Sequence, residues 1–217
     1  EEGIENEEEG IENEEEGIEN EEEGINLIKL AADKGNAKAM FYYANKLKQQ
    51  EEKSDSIKEE IIKYFKQSAH EGYTQSMDMY GNELYDNKEN AISYFKKASD
   101  KGNFESMRKY GIIIFNGEFG VQSNYKEGIK YIKISADNGC IKAMLTYAGI
   151  LRDGNEVEVD YSESLKYTKM AVDKGDSEAM YSYGYMFLNG QGVDINIDEA
   201  IKYFKMAIDK GNTRAMS

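Results

Sequence analysis

EGIKYIKISADNGCIKAMLTYAGIL, residues 127–151, contains the whole folding logic of the chain in one passage. After Gly139, Met144, Tyr147, Ala148 and Leu151 fall at i, i+3, i+4 and i+7, which is one face of a helix. Before it, EGIKYIKISADNG is a second amphipathic stretch, with the small Ser135 four positions ahead of the glycine. Gly139 therefore takes the place of a left-handed cap that ends one helix and turns the chain into the next, and the passage predicts an antiparallel helix hairpin.

The pattern recurs with glycines at Gly35, Gly72, Gly102, Gly139, Gly175 and Gly211, spaced by 37, 30, 37, 36 and 36 residues. Five residues after each stands a methionine: Met40, Met77, Met107, Met144, Met180 and Met216. Only 10 of 217 residues are Met, so coincidence is excluded. Tyr43, Tyr80, Tyr110, Tyr147 and Tyr183 follow at the eighth position, each with Ala or Gly directly after it and a large apolar residue (Leu47, Leu84, Ile114, Leu151, Phe187) three further on. Four residues before each glycine comes Ala31, Ser68, Ala98, Ser135, Ala171 or Ala207.

A period of this length announces a tandem array of helix pairs, and the absence of proline leaves the helices uninterrupted. One pair cannot bury both its faces, so neighbours must stack. The small residues let helix axes approach closely, with a tyrosine expected to lie over Gly or Ala of the adjoining helix. The methionine stripe is expected to be core, so that Met107→Asp would bury an unpaired charge. Between the two helices of a unit sits a loop, such as NGEFGVQSNY (116–125), DGNEVEVDY (153–161) or NGQGVDINIDEA (189–200), and shortening to LYDNKEN (84–90) accounts for the 30-residue spacing.

These residues together, A-x-D-x-G-x-x-x-A-M-x-x-x-G/A with a G-x-G-V loop and an E-A-I-x-Y-F helix, resemble the Sel-one-like repeat family, which is similar to the tetratricopeptide repeats. The resemblance covers residues 24–217 and implies an all-α, right-handed superhelical solenoid of five to six repeats, a scaffold or adaptor role, and no catalytic residues. The segments Gln49–Lys58 and Asp86–Asn90 depart from the family by lacking the G-x-G-V signature. Cysteine-rich, secreted relatives linked to β-lactam binding have a disulfide framework that a single Cys140 cannot supply.

The formal charge is −15, but residues 1–23 hold 14 Glu and no Lys or Arg, leaving −1 for the rest. A balanced body has no basic stripe for a phosphate backbone, so nucleic acid is not an expected partner. No apolar run approaches a membrane span, and an intracellular compartment, cytoplasmic or other, is expected. The chain starts within a repeat and stops as another begins, which reads as a piece of a longer protein. Residues 1–21 form an acidic EEGIENE extension and 22–217 the array. Gly24 and Ile25 align with Gly128 and Ile129, so the heptads look like copies of a first-repeat helix start. One Ile per heptad is half of a coiled-coil seam, and repeated Gly and Glu oppose helix, which leaves a solvated tail, a continuous helix or a partner site open.

His70 is the only histidine, so metal clusters and histidine-based triads lack their parts and no metal or cofactor is expected. The turn aspartates Asp33, Asp100, Asp137, Asp173 and Asp209 recur with the period, unlike a catalytic pair, and read as solvated or capping residues. No loop carries the Lys-Ser/Thr of a phosphate-binding loop. The expected function is therefore a non-enzymatic scaffold that binds a protein or peptide on the face of the first helices. The alternatives are the regulatory or targeting region of a larger signalling or degradation enzyme, such as a kinase or ubiquitin-ligase complex, and hydrolysis by the repeats themselves. Positions six and ten after each glycine vary in type, and Phe41, Asn45, Arg108, Ile112, Tyr181 and Tyr185 are the candidate contacts, alongside Asp78, Asn82, Leu145 and Gly149 at equivalent places.

Overall fold

The computed structural model describes residues 21–50, 53–84, 87–154 and 156–216, the side chain of Met216 excepted. The acidic extension up to Asn20 and the Met216 side chain, both subjects of expectations above, lie outside the described residues. The described residues are helical, without strands, and divide into two compact units. The first contains α1 (21–33), α2 (Ala37–Gln49), α3 (Asp55–His70) and α4 (Thr74–Glu83). The second contains α5 (Lys88–Asp100), α6 (Phe104–Asn116), α7 (Tyr125–Asp137), α8 (Ile141–Asp153), α9 (Tyr161–Asp173), α10 (Ser177–Asn189) and α11 (Ile197–Asp209), then a 3₁₀ turn over Thr213–Met216. No helix among the described residues is long and apolar enough to cross a membrane.

Each anchor glycine closes a helix in the same way. All six adopt φ between 79° and 93°, where a side chain would be strained. In the α7–α8 turn, Gly139 N donates to Ala136 O at 2.9 Å and Cys140 N donates to Ser135 O at 3.2 Å, the paired bonds that satisfy the last carbonyls of a helix. The same two bonds recur at the other five glycines, always with the small residue four positions earlier as the far acceptor. The residue after the glycine then starts the next helix. Asn36, Asn103, Asp176 and Asn212 accept through their side chains from Ala39, Ser106, Ala179 and Ala215 N, so one dipeptide stops a helix and begins another.

Across the loops the helices pack at the predicted small residues, but against different partners from those expected. A Cβ on Gly111 would sit 2.9 Å from Gly128 O and from Ile132 Cγ1, and one on Gly128 would sit 2.6 Å from Phe115 N. At Gly184 it would meet the Phe204 ring at 2.9 Å and Ala200 O at 3.1 Å. The small residues thus admit backbone and the residue seven before the next glycine. The tyrosines pair with tyrosines instead: Tyr43–Tyr64, Tyr110–Tyr131, Tyr147–Tyr167 and Tyr183–Tyr203 meet edge to face at 5.1, 5.0, 4.7 and 4.8 Å. A lysine six positions before the anchor glycine lies over the first ring, as Lys29 over Tyr43, Lys96 over Tyr110 and Lys133 over Tyr147 at 5.6, 5.8 and 4.8 Å.

The turn aspartates belong to this ladder. Tyr64 and Tyr167 donate to Asp33 and Asp137 of the preceding repeat, while Lys96 and Lys169 pair with Asp100 and Asp173. Burial alone would lower Lys133, but its hydrogen bonds to Glu163, Tyr167 and Tyr147 hold the ammonium above the usual lysine range.

Loop length varies between fixed anchors. Asn124, Asp160 and Asn196 each donate their backbone N–H back to Ile114, Leu151 and Phe187 O, at 2.8, 2.9 and 3.0 Å, while their side chains cap α7, α9 and α11. The second glycine of the G-x-G loop has its own cause: a Cβ on Gly192 would lie 2.3 Å from Tyr161 O.

The core follows the predicted stripe with one correction. Met40, Met77, Met144 and Met180 are buried with all five stripe tyrosines, but Met107 is only half-buried, so a charge placed there is not fully desolvated. Met144→Ala is therefore expected to cost about 2 to 5 kcal/mol and Met107→Ala about 1 kcal/mol, a contrast that denaturant melts resolve. Adding one methyl at Gly128 should cost about 3 kcal/mol because backbone is in the way. The same methyl at Gly149, where a Cβ meets nothing, should raise stability by up to about 1 kcal/mol in the same melts.

Candidate functional site

Within the second unit the first helices of successive pairs, α6, α8 and α10, present their variable positions to common grooves. One groove of about 560 Å³ is lined by Leu145, Gly149 and Arg152 of α8, Tyr181, Ser182 and Tyr185 of α10, and by Gln191 and Arg214. A second, of about 330 Å³, is lined by Ile112, Phe115 and Asn116 of α6 with Leu145 and Gly149 again. The two share Leu145, Gly149 and Asp153, so Ile112, Tyr181 and Tyr185 border one continuous depression with α8 at its centre.

The mechanism of this convergence is periodic. Core positions at five, eight and nine after the glycine face neighbouring helices, which leaves six and ten on the side that the next pair does not cover. Tyr185 is 42% exposed, a large aromatic in contact with water. Tyr181 is half-buried between the Phe204 ring at 5.7 Å and the Arg214 guanidinium at 5.3 Å, which fixes its plane as a wall.

The remaining candidates are placed otherwise. Arg108 is largely covered and engaged by Glu105. In the first unit, Phe41 packs against Phe65 and Tyr73 at 6.1 and 5.2 Å, and Asn45 donates its side-chain amide to Phe41 O at 2.9 Å. Asp78 is buried and Asn82 exposed. Arg152, Ser182 and Gln191 line the groove without having been singled out. Arg152 lies at i+3 from Gly149, so helical spacing was the signal that could have found it. Among the described residues no group of three His, Cys, Asp or Glu is arranged to hold a metal, and His70 is an exposed residue at the end of α3.

A family model described as the Sel1 repeat matches residues 10–36, 79–103, 104–140, 141–176 and 177–212. Among solved structures, a Sel1 repeat protein from Oxalobacter formigenes is 22% identical with a TM-score of 0.71, over 84% of this chain and 74% of that one. The c5321 protective antigen of uropathogenic Escherichia coli is also 22% identical, with a TM-score of 0.74, over 88% of this chain but 42% of its own. An immunity protein from Pseudomonas aeruginosa is 16% identical with a TM-score of 0.58, over 82% and 67%. These likenesses establish a common fold. No protein of curated function matches the sequence.

Charge on α6 is organised locally. Glu105 Oε1 accepts from Arg108 Nη2 at 2.7 Å and lies 3.8 Å from Lys142 Nζ of α8, and Cys140 Sγ donates to Oε2 at 3.4 Å. Burial works to raise the Glu105 carboxyl, but the hydrogen bond and charge of Arg108 outweigh it and hold the group below the usual carboxylate range. A depressed folded value contributes stability above the unfolded carboxylate value, and that contribution is lost as pH falls through the folded one. Arg108→Ala should therefore cost about 1 kcal/mol at neutral pH, and the gap from wild type should narrow in thermal melts as the pH falls below the usual carboxylate range.

Proposed function

The chain belongs to the Sel1 repeat family, and on that premise we propose that it is a scaffold whose α6–α8–α10 face binds a partner protein or peptide. Proteins built from Sel1 repeats generally act as protein-interaction modules and are typically non-catalytic. We take residues 22–217 as one repeat array carrying the acidic segment 1–21, in an intracellular setting that suits the unpaired Cys140.

The observation that carries this reading is the division of labour along the first helices. Met144 and Met180, with Tyr147 and Tyr183, repeat in type and are buried, whereas Ile112, Leu145, Gly149, Tyr181 and Tyr185 differ in type from pair to pair and line the grooves. Positions that support the fold are constrained alike in every repeat, and positions free of that duty carry recognition. An exposed tyrosine beside a cation and small residues supplies large rigid contact area at low entropic cost. Phe41, Asn45 and Arg108 occupy equivalent places and, on this reading, serve as supporting positions.

Pull-downs with the triple variant Ile112→Ala, Tyr181→Ala and Tyr185→Ala test the assignment. Partners captured by the wild-type chain should be lost, with the melting curve shifted by only a few degrees. Retention of every partner by the folded variant would place recognition elsewhere.

A further inference from the structure

Four glycines lie inside the helices of residues 88–217, and Gly149 is the one the fold does not use. A Cβ on Gly111, Gly128 or Gly184 would collide within 3 Å, but a Cβ on Gly149 would meet nothing within 4 Å. Glycine inside a helix is destabilising, and here no packing contact among the described residues offsets it. What the missing side chain creates is a notch in the centre of α8, open toward both grooves, where the main chain of another molecule can approach the helix.

The groups around the notch have a definite hydrogen-bonding sense. Arg152, one turn along the same face, uses only Nε, which donates to Asp153 Oδ1 at 2.9 Å; among the described residues nothing accepts from its two terminal nitrogens. The hydroxyls of Tyr181, Ser182 and Tyr185 likewise have no hydrogen-bond partner among the described residues. Of the acceptors nearby, Glu178 takes Arg214 on one oxygen and Asn212 Nδ2, at 3.1 Å, on the other, while Gln191 Oε1 is buried without a hydrogen-bond partner among the described residues. The groove thus offers several donors and one open acceptor around a guanidinium whose free end suits two-pronged binding of a carboxylate.

We infer that the groove takes an extended peptide segment of a partner protein, its main chain crossing α8 over Gly149 and an acidic side chain or C-terminal carboxylate seated on Arg152. This rests on the binding function proposed above and gives it a chemistry. Leu145, one turn before Gly149, provides the apolar seat at the other end of the stripe.

The test uses linear peptides enriched from a random library on the full chain, measured by fluorescence polarisation. The enriched peptides should share an Asp, a Glu or a required free C-terminus. Replacing that group by its amide should weaken binding about ten-fold, Arg152→Gln should weaken it equally, and the two changes together should add little more. Arg152→Glu should be rescued by a peptide carrying Lys at the acidic position. Gly149→Leu should abolish binding while leaving the melting temperature at or above that of wild type. Peptides that are lost on Tyr181→Ala and Tyr185→Ala but indifferent to Arg152→Gln and Gly149→Leu would overturn the inference alone. Peptides indifferent to all of these variants would overturn the groove itself as the binding site. Failure to enrich any peptide, while the triple variant still loses its partners, would overturn the extended-segment reading and leave the groove in place.

Discussion

The glycine turn is the constraint from which the architecture follows. A helix end leaves carbonyls without partners, and here two backbone N–H groups reach back to satisfy them only because the residue between adopts a left-handed conformation. That geometry places the next side chain, usually Asn or Asp, where it caps the following helix. The rotation of each hairpin about its turn is thereby fixed, and the methionine, tyrosine and small residue downstream arrive at the neighbouring helix in one register. Glycine against backbone at Gly111 and Gly128, and the edge-to-face tyrosine pairs, are consequences of that register rather than independent causes.

Much of this was legible in the sequence because backbone requirements leave few residue choices. Only glycine suits the turn, only a small residue fits the crossings, and period turns both into a pattern. The tyrosine partners were misassigned because periodicity gives the face of a helix but not the depth at which a ring stops. Close packing of Gly184 on the Phe204 ring leaves Tyr183 to meet Tyr203 instead. The turn aspartates were read as solvated or capping residues. Tyr64 and Tyr167 reach Asp33 and Asp137 across 31 and 30 residues, a separation that local spacing does not report. Met107 obeyed the pattern and departed from the burial, since the local environment of one repeat is not encoded in the average of six.

The candidate site was legible only in part, for a related reason. Positions six and ten after the glycine were identified by their variety, and in the second unit those from Ile112 to Tyr185 border one depression while Arg108 does not. In the first unit the equivalent Phe41 is drawn into an aromatic cluster with Phe65 and Tyr73, so the same register position has a packing duty there. Arg152 escaped notice because a lone charged residue near a helix end normally reads as solvation, and that its two terminal nitrogens find no acceptor among the described residues is a fact of geometry rather than of composition.

The loops that leave α6, α8 and α10 return to the same carbonyl, two residues before the last residue of the helix, whatever lies between. Their two ends are pinned by main-chain bonds and a side-chain cap, so the helices do not sense how many residues make the journey. Doubling such a loop costs only about 0.6 kcal/mol in closure entropy. The molecule is in that respect a rack with interchangeable fittings: foreign epitopes, fluorescent reporters or binding peptides can be spliced between Asn189 and Asn196 without retuning the helices on either side.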